Sequence, residues 1–195
     1  MMARILSLIL HLLCTAIAGA LLAGCSMPRV VVLNDPLDAR QHNDLGASYQ
    51  ARGEDDLALR EYDRAAELDS EWALPLVNRG NVFAGRESWG EAADSYRRAL
   101  RRDPRNAEAL NNLAWVLLQE GEIDEALKKA SRAVEIDPGQ PTFLDTLADI
   151  YLARGEVVTA RQALRRALAL DPGPDLRKTL EEKLTCLEEG TGTER

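Results

Sequence analysis

Residues Ala107–Gln140 read AEALNNLAWVLLQEGEIDEALKKASRAVEIDPGQ. Two stretches of helical pattern flank a turn marked by Gly121, and Asp137-Pro138 stops the second. The same template recurs on both sides of this stretch. Asp103-Pro104, Asp137-Pro138 and Asp171-Pro172 are each 34 residues apart, and the same step back reaches Asp69-Ser70, where the proline is missing. The chain therefore divides into four units, residues 39–72, 73–106, 107–140 and 141–174.

Side-chain size follows the unit. Position 8 is small in all four (Gly46, Gly80, Ala114, Ala148), position 20 is Ala58, Ala92, Ala126 and Ala160, and position 27 is Ala65, Ala99, Ala133 and Ala167. Position 11 is large (Tyr49, Phe83, Leu117, Tyr151), and position 24 is Tyr62, Tyr96, Ala130 and Leu164. Gly53, Gly121 and Gly155 hold position 15, where a helix end favours the left-handed conformation that glycine adopts at low cost. Pro75 and Pro141 fall in first turns, where a missing N–H is harmless.

This period and this frame of small residues resemble the tetratricopeptide repeat, a helix-turn-helix unit. The resemblance implies an all-α fold: a right-handed superhelix, or α-solenoid, whose first helices line a concave side. Asp175–Glu189 reads as one further helix, with Leu176, Leu180, Leu184 and Leu187 on one stripe, capping the last repeat against water. Residues 190–195 read as a disordered polar tail. Three positions depart from the pattern. Arg79 replaces leucine at position 7 and is expected to carry its head to solvent past an apolar stem. Glu87 replaces glycine at position 15, so the second repeat is expected to turn differently. Trp89 sits beside that turn as a contact between the two helices of its repeat.

Composition narrows the function. The chain has 195 residues with 24 basic and 32 acidic side chains, a formal charge of −8, which disfavours nucleic acid as a partner. With only three cysteines and two histidines there is no metal-binding spacing, and neither a Gly-rich phosphate loop nor a nucleophile elbow is present. No cofactor, no metal and no enzymatic activity are expected. His42 reads as a packed or capped side chain, and Cys186 as a free, partly covered thiol.

The N-terminus carries a different signal. A short basic start, Met1–Arg4, precedes the apolar run Ile5–Ala23. Leu22-Ala23-Gly24-Cys25 then resembles the lipobox of bacterial lipoproteins. The resemblance implies a signal peptide over residues 1–24, cleavage before Cys25, and lipidation of its thiol. An uncleaved signal anchor and an ordinary cleaved signal are the alternatives. Ser26 after the cysteine implies passage to the outer membrane, with the protein facing the periplasm. Residues 25–38 form a linker. Within it Val30–Leu33 either packs on the first repeat or docks on a partner or in the protein's own groove.

Family resemblance places groove-facing side chains at positions 2, 5, 9 and 12. These include Arg40, Asn43 and Gln50, then Val77 and Asn81, then Glu108, Asn111 and Trp115, then Asp145 and Asp149. Asparagine suits an extended peptide because its amide both donates and accepts. Trp115 adds apolar area and an indole donor, or else is half covered by the neighbouring repeat. Asn111 and Asn112 alternatively only solvate a helix start. Asp145 and Asp149, one turn apart, read as a solvated acidic groove wall rather than a catalytic acid pair, and as a binding feature they favour a basic peptide. Chaperone adaptors of the family grip a C-terminal carboxylate with Lys, Asn and Arg. Asn81 matches that asparagine, but Glu108 and Asn112 stand where the lysine and arginine are wanted, so that ligand class does not fit.

The expected function is a lipid-anchored envelope adaptor or scaffold that binds a protein or peptide in the concave groove. It resembles repeat lipoproteins that help assemble pili, secretion pores or cell-wall machinery. It has fewer repeats than the pilus pilotins and is not assigned to them. The alternative is a structural protein that self-associates into a homo-oligomer through Cys186, the last helix or Val30–Leu33.

Overall fold

Helical sequence broken inside each repeat by a left-handed residue folds into pairs of helices. The computed structural model describes residues 35–190, so Cys25, Val30–Leu33 and residues 191–195 lie outside the described residues. Met1–Pro36 and Leu37–Arg195 are separate units, and the second holds every helix described below. Four hairpins follow one another: α1 (Ala39–Ala51) with α2 (Asp55–Leu68), α3 (Leu74–Gly85) with α4 (Trp89–Arg102), α5 (Ala107–Gln119) with α6 (Ile123–Ile136), and α7 (Pro141–Ala153) with α8 (Val157–Ala169). A last helix, α9 (Pro174–Gly190), ends the array, and no strand occurs among the described residues.

Starts and stops are local chemistry. Asp38 caps α1 in a reciprocal box, its carboxylate accepting from Gln41 N and its own N–H donating to Gln41 Oε1, each at 2.9 Å. Asn106 caps α5 by accepting from Ala109 N at 2.9 Å. In the second and third repeats the closing aspartate folds the following turn through its side chain: Asp103 accepts from Arg105 N and Asp137 from Gly139 N. Asp69 does the same for Glu71 and Trp72 without a proline after it, so the aspartate is the common element of these turns.

Inside each hairpin the turn is the same in all four repeats. Gly53, Gly121 and Gly155 have φ of 75–78°, and Glu87 adopts φ 57° at the equivalent place. In each case the next residue donates its N–H to position 11: Glu54 to Tyr49, Ser88 to Phe83, Glu122 to Leu117 and Glu156 to Tyr151, at 2.8–2.9 Å. The expectation of a differently shaped turn in the second repeat is thus corrected. The closing hydrogen bond and the packing of both helices hold Glu87 in a conformation that disfavours a side chain.

Each helix packs mainly on the next, and α1, α3, α5 and α7 also meet one another across repeats. The alanines at positions 20 and 27 are wholly buried in every repeat, which brings paired backbones close. Arg102 ties the first two repeats together, donating to the carbonyls of Ala66, Asp69 and Trp72 at 2.8–3.1 Å. Those carbonyls belong to the end of α2 and its turn, where helix geometry leaves acceptors unfilled.

Arg79 does not send its head freely to solvent as expected. Its Nε lies 2.9 Å from Asp63, its Nη1 donates to Ser95, and its guanidinium lies 4.8 Å from the Phe83 ring centroid. An acid, a hydroxyl and an aromatic face thus replace the apolar contact of the leucines at this position. Leu180 of α9 is fully buried, and Leu176, Leu184 and Leu187 pack on the core of the fourth repeat.

Candidate functional site

The groove is built from the first helices, and its geometry begins in the core. Tyr96 of α4 is 1% exposed and lies flat against Gly80 of α3. That close approach lets the ring pass between the helices, where its hydroxyl donates to Asn81 Oδ1 at 2.7 Å. Asn112 Nδ2 donates to the same oxygen at 2.9 Å, and Asn111 Nδ2 donates to Asn112 Oδ1 at 3.3 Å. A chain of polar groups therefore runs from a buried phenol to the groove and across two repeats. Burial, and then the charge of Glu108, hold the Tyr96 phenol well above its ordinary value, so it remains a donor at neutral pH.

This chain floors a pocket of about 370 Å³ whose walls include Asn81, Asn111, Asn112, Trp115, Asp145 and Asp149. Five of the residues expected in the groove are thus gathered at one place. An adjoining depression of about 530 Å³ shares Asn111, Asn112 and Thr142 and reaches Glu108, so the groove continues along α5 and α7. Trp115 is 36% exposed, and its ring meets Trp89 edge-on with centroids 5.2 Å apart. Trp89 packs on the core as expected and in addition braces the exposed ring. Asn111 is largely buried, and its Oδ1 has no hydrogen-bond partner among the described residues.

Other expected groove residues lie elsewhere. Asn43 is buried and accepts from Asn78 Nδ2 at 2.9 Å, which joins the first two repeats. Arg40 is exposed on the first turn of α1, away from the pocket. Gln50 accepts from the Tyr62 hydroxyl at 2.8 Å. Val77 is fully buried, which corrects its assignment to the groove: the Val77 side chain packs in the central core.

The acidic pair is also corrected. Asp145 and Asp149 do not form a bare solvated wall. Lys183 of α9 donates to Asp145 Oδ1 at 2.7 Å and to the two Asp149 oxygens at 2.8 and 2.9 Å. Burial holds the Asp145 carboxyl above its ordinary range against the pull of Lys183. Burial also pulls the Lys183 amine down, but its hydrogen bonds to both carboxylates outweigh that and raise it. Lys183 escaped sequence reasoning because it belongs to no repeat and so has no groove position. Its only signal was a lysine near the leucine stripe of the capping helix.

His42 is buried with Nδ1 2.7 Å from Glu61, as a packed side chain. Cys186 is exposed, not partly covered as expected, because it sits on the outer face of α9. Among the described residues no group of three or more His, Cys, Asp or Glu side chains is placed to hold a metal, and no helix is long and apolar enough to cross a membrane.

Stacked helical hairpins with a polar, part-aromatic groove define a repeat solenoid of the kind that binds other proteins. Two tetratricopeptide-repeat family models match the chain, over residues 77–141 and 117–184. Residues 77–184 accordingly belong to the tetratricopeptide-repeat family, whose members generally act as non-enzymatic interaction scaffolds. Among solved structures, PilF of Pseudomonas aeruginosa is similar with a TM-score of 0.67 and 25% identity, covering 82% of this chain and 72% of PilF. Two structures of MamA share the fold, one with a TM-score of 0.66, 21% identity and coverage of 79% and 82%, the other with 0.63, 23%, 70% and 80%. No curated protein matches the sequence.

Proposed function

We propose that the chain is a lipid-anchored adaptor of the bacterial envelope that binds an extended segment of a partner protein in its concave groove. The observation that carries the groove reading is the pocket where Asn81, Asn111, Asn112 and Trp115 converge. Amide groups that donate and accept suit a peptide backbone, while a braced, exposed indole suits an apolar or aromatic side chain. The Tyr96 hydrogen bond fixes Asn81 before any ligand arrives, which lowers the ordering cost of binding.

The anchor reading rests on LLAGC at residues 21–25, after a basic start and an apolar run. Several acyl chains on Cys25 give stable attachment where one chain gives only marginal binding. Ser26 favours the outer membrane, with the repeats facing the periplasm.

Partner capture from crosslinked envelope extracts tests the groove. A folded Asn81→Ala/Trp115→Ala variant is expected to lose partners that the wild type retains, and equal capture would remove the concave face as the site. Membrane fractionation of Cys25→Ala tests the anchor. The variant is expected in the soluble fraction, and continued tight membrane association would sink the lipoprotein reading.

A further inference from the structure

Asp145 and Asp149 both line the groove pocket, and the group they hold is an ammonium. Lys183 supplies it from α9, a helix that follows the last repeat. The helix is held on the core by Leu176, Leu180, Leu184 and Leu187 in addition to this ion pair. Lys183 remains 28% exposed, and its flexible four-carbon stem can swing outward while the leucines stay packed.

Two further features mark the same pocket as a place for a ligand. Asn111 Oδ1 is a buried acceptor without a donor in a residue only 8% exposed, and buried polar groups are ordinarily hydrogen-bonded. A ligand N–H entering the pocket supplies that donor once the amide turns toward it. Trp115 presents an exposed aromatic ring to the pocket that holds the carboxylates, and a ring face attracts cations. Carboxylates, an exposed aromatic ring and an unfilled amide oxygen together describe a receptor for a cationic side chain on a peptide backbone.

We propose that the groove selects a peptide segment bearing a lysine or arginine, and that this side chain takes the Asp145 and Asp149 carboxylates by displacing Lys183. The inference rests on the groove reading above. Displacement exchanges one cation for another, so Lys183 competes with the incoming side chain and lowers its apparent affinity. A neutral side chain cannot replace it, and an acidic one meets two carboxylates.

The test uses the full-length protein in detergent and a fluorescein-labelled octapeptide of alternating glycine and lysine, with a glycine–glutamate octapeptide as control. Lys183→Met is expected to bind the lysine probe about tenfold more tightly than wild type, the scale of one lost competing ion pair. Lys178→Met removes the same charge from the exposed face of α9 and is expected to change nothing. Adding Asp149→Asn to Lys183→Met is expected to abolish the gain. Unchanged affinity in Lys183→Met, an equal gain for the glutamate probe or for Lys178→Met, or a gain that survives Asp149→Asn would each overturn the proposal. Should Lys183→Met fail to fold, the wild type still decides. Saturating lysine probe is expected to raise the acylation rate of Lys183 read by mass spectrometry, and an unchanged rate would overturn the proposal. Loss of partner capture in the Asn81/Trp115 variant with no effect at Lys183 would refute this inference alone and leave the groove reading standing.

Discussion

Gly80 faces the ring of Tyr96 so closely that a Cβ built on it would lie 2.5 Å from Cε1. Gly46 and Tyr62 repeat the relationship, with a Cβ 2.7 Å from the ring. Where position 24 is Ala130 or Leu164, position 8 is Ala114 or Ala148. Size at the two positions is therefore matched within each hairpin, and the large partner is affordable only where the small one is glycine.

Gly80→Ala is expected to destabilise the protein by about 1–3 kcal/mol through overpacking. Urea unfolding read by circular dichroism measures it. In a Tyr96→Ala background the same change should cost less, since Ala114 with Ala130 is a working combination. A strictly additive double mutant would show that the ring contact is not the cause.

Tyr96→Phe removes the donor to Asn81 while keeping the packed ring. The expected cost is about 1 kcal/mol of stability. Because Asn81 Oδ1 then keeps only Asn112, loosened Asn81 and Asn112 side-chain amide signals are expected in NMR spectra, with core resonances unmoved.

Glu87→Gly is expected to raise stability by about 1 kcal/mol, because the left-handed conformation at φ 57° costs a side chain roughly 1–2 kcal/mol. Thermal unfolding measures the gain. The same change at Glu122, the following position in the third repeat's turn, should bring no gain, as Gly121 already takes the left-handed place.

Arg102→Met leaves the carbonyls of Ala66, Asp69 and Trp72 without their charged donor. A loss of about 1.5–3 kcal/mol is expected, the range for hydrogen bonds to a charged group. Repeat arrays are held by neighbour contacts, so hydrogen exchange should show the first hairpin opening before the rest.

Lys183 sets a pH dependence whose sign follows from its raised amine pKa. A cation bound more tightly in the folded state contributes stability that is complete below its unfolded value, near 10.5, and is lost as pH rises through the folded value. The stability advantage of wild type over Lys183→Met should therefore shrink at alkaline pH, measured from urea midpoints. Asp145 is also paired with Lys183, yet burial dominates its behaviour at the acid end. Its raised value makes the folded state bind the proton more tightly, so its contribution favours folding at low pH and declines as pH rises through the folded value.

The repeat architecture was legible because a period of 34 residues imposes the same steric demand four times: Ala58, Ala92, Ala126 and Ala160 each had to be small. The family resemblance, laid on that period, pointed to Asn81, Asn111, Trp115, Asp145 and Asp149, which line one pocket. What escaped was whatever the period does not repeat. Arg79 found Asp63 and Ser95 in its own surroundings, Val77 turned to the core, and Glu87 kept a turn that its identity argues against. Lys183 reaches carboxylates 34 and 38 residues away from a helix outside the frame, and no single-repeat template contains that pairing.

The matching of Gly46 with Tyr62 and Gly80 with Tyr96 also defines the unit in which this molecule can be recombined. Grafting α5 in front of α4 would drive the methyl of Ala114 into the Tyr96 ring. Placing α3 before α6 would open a void opposite Ala130. A library that shuffles whole hairpins keeps every pair intact, whereas one that cuts at the inner turn scrambles them. In this array the heritable cassette is the hairpin, cut at its closing aspartate.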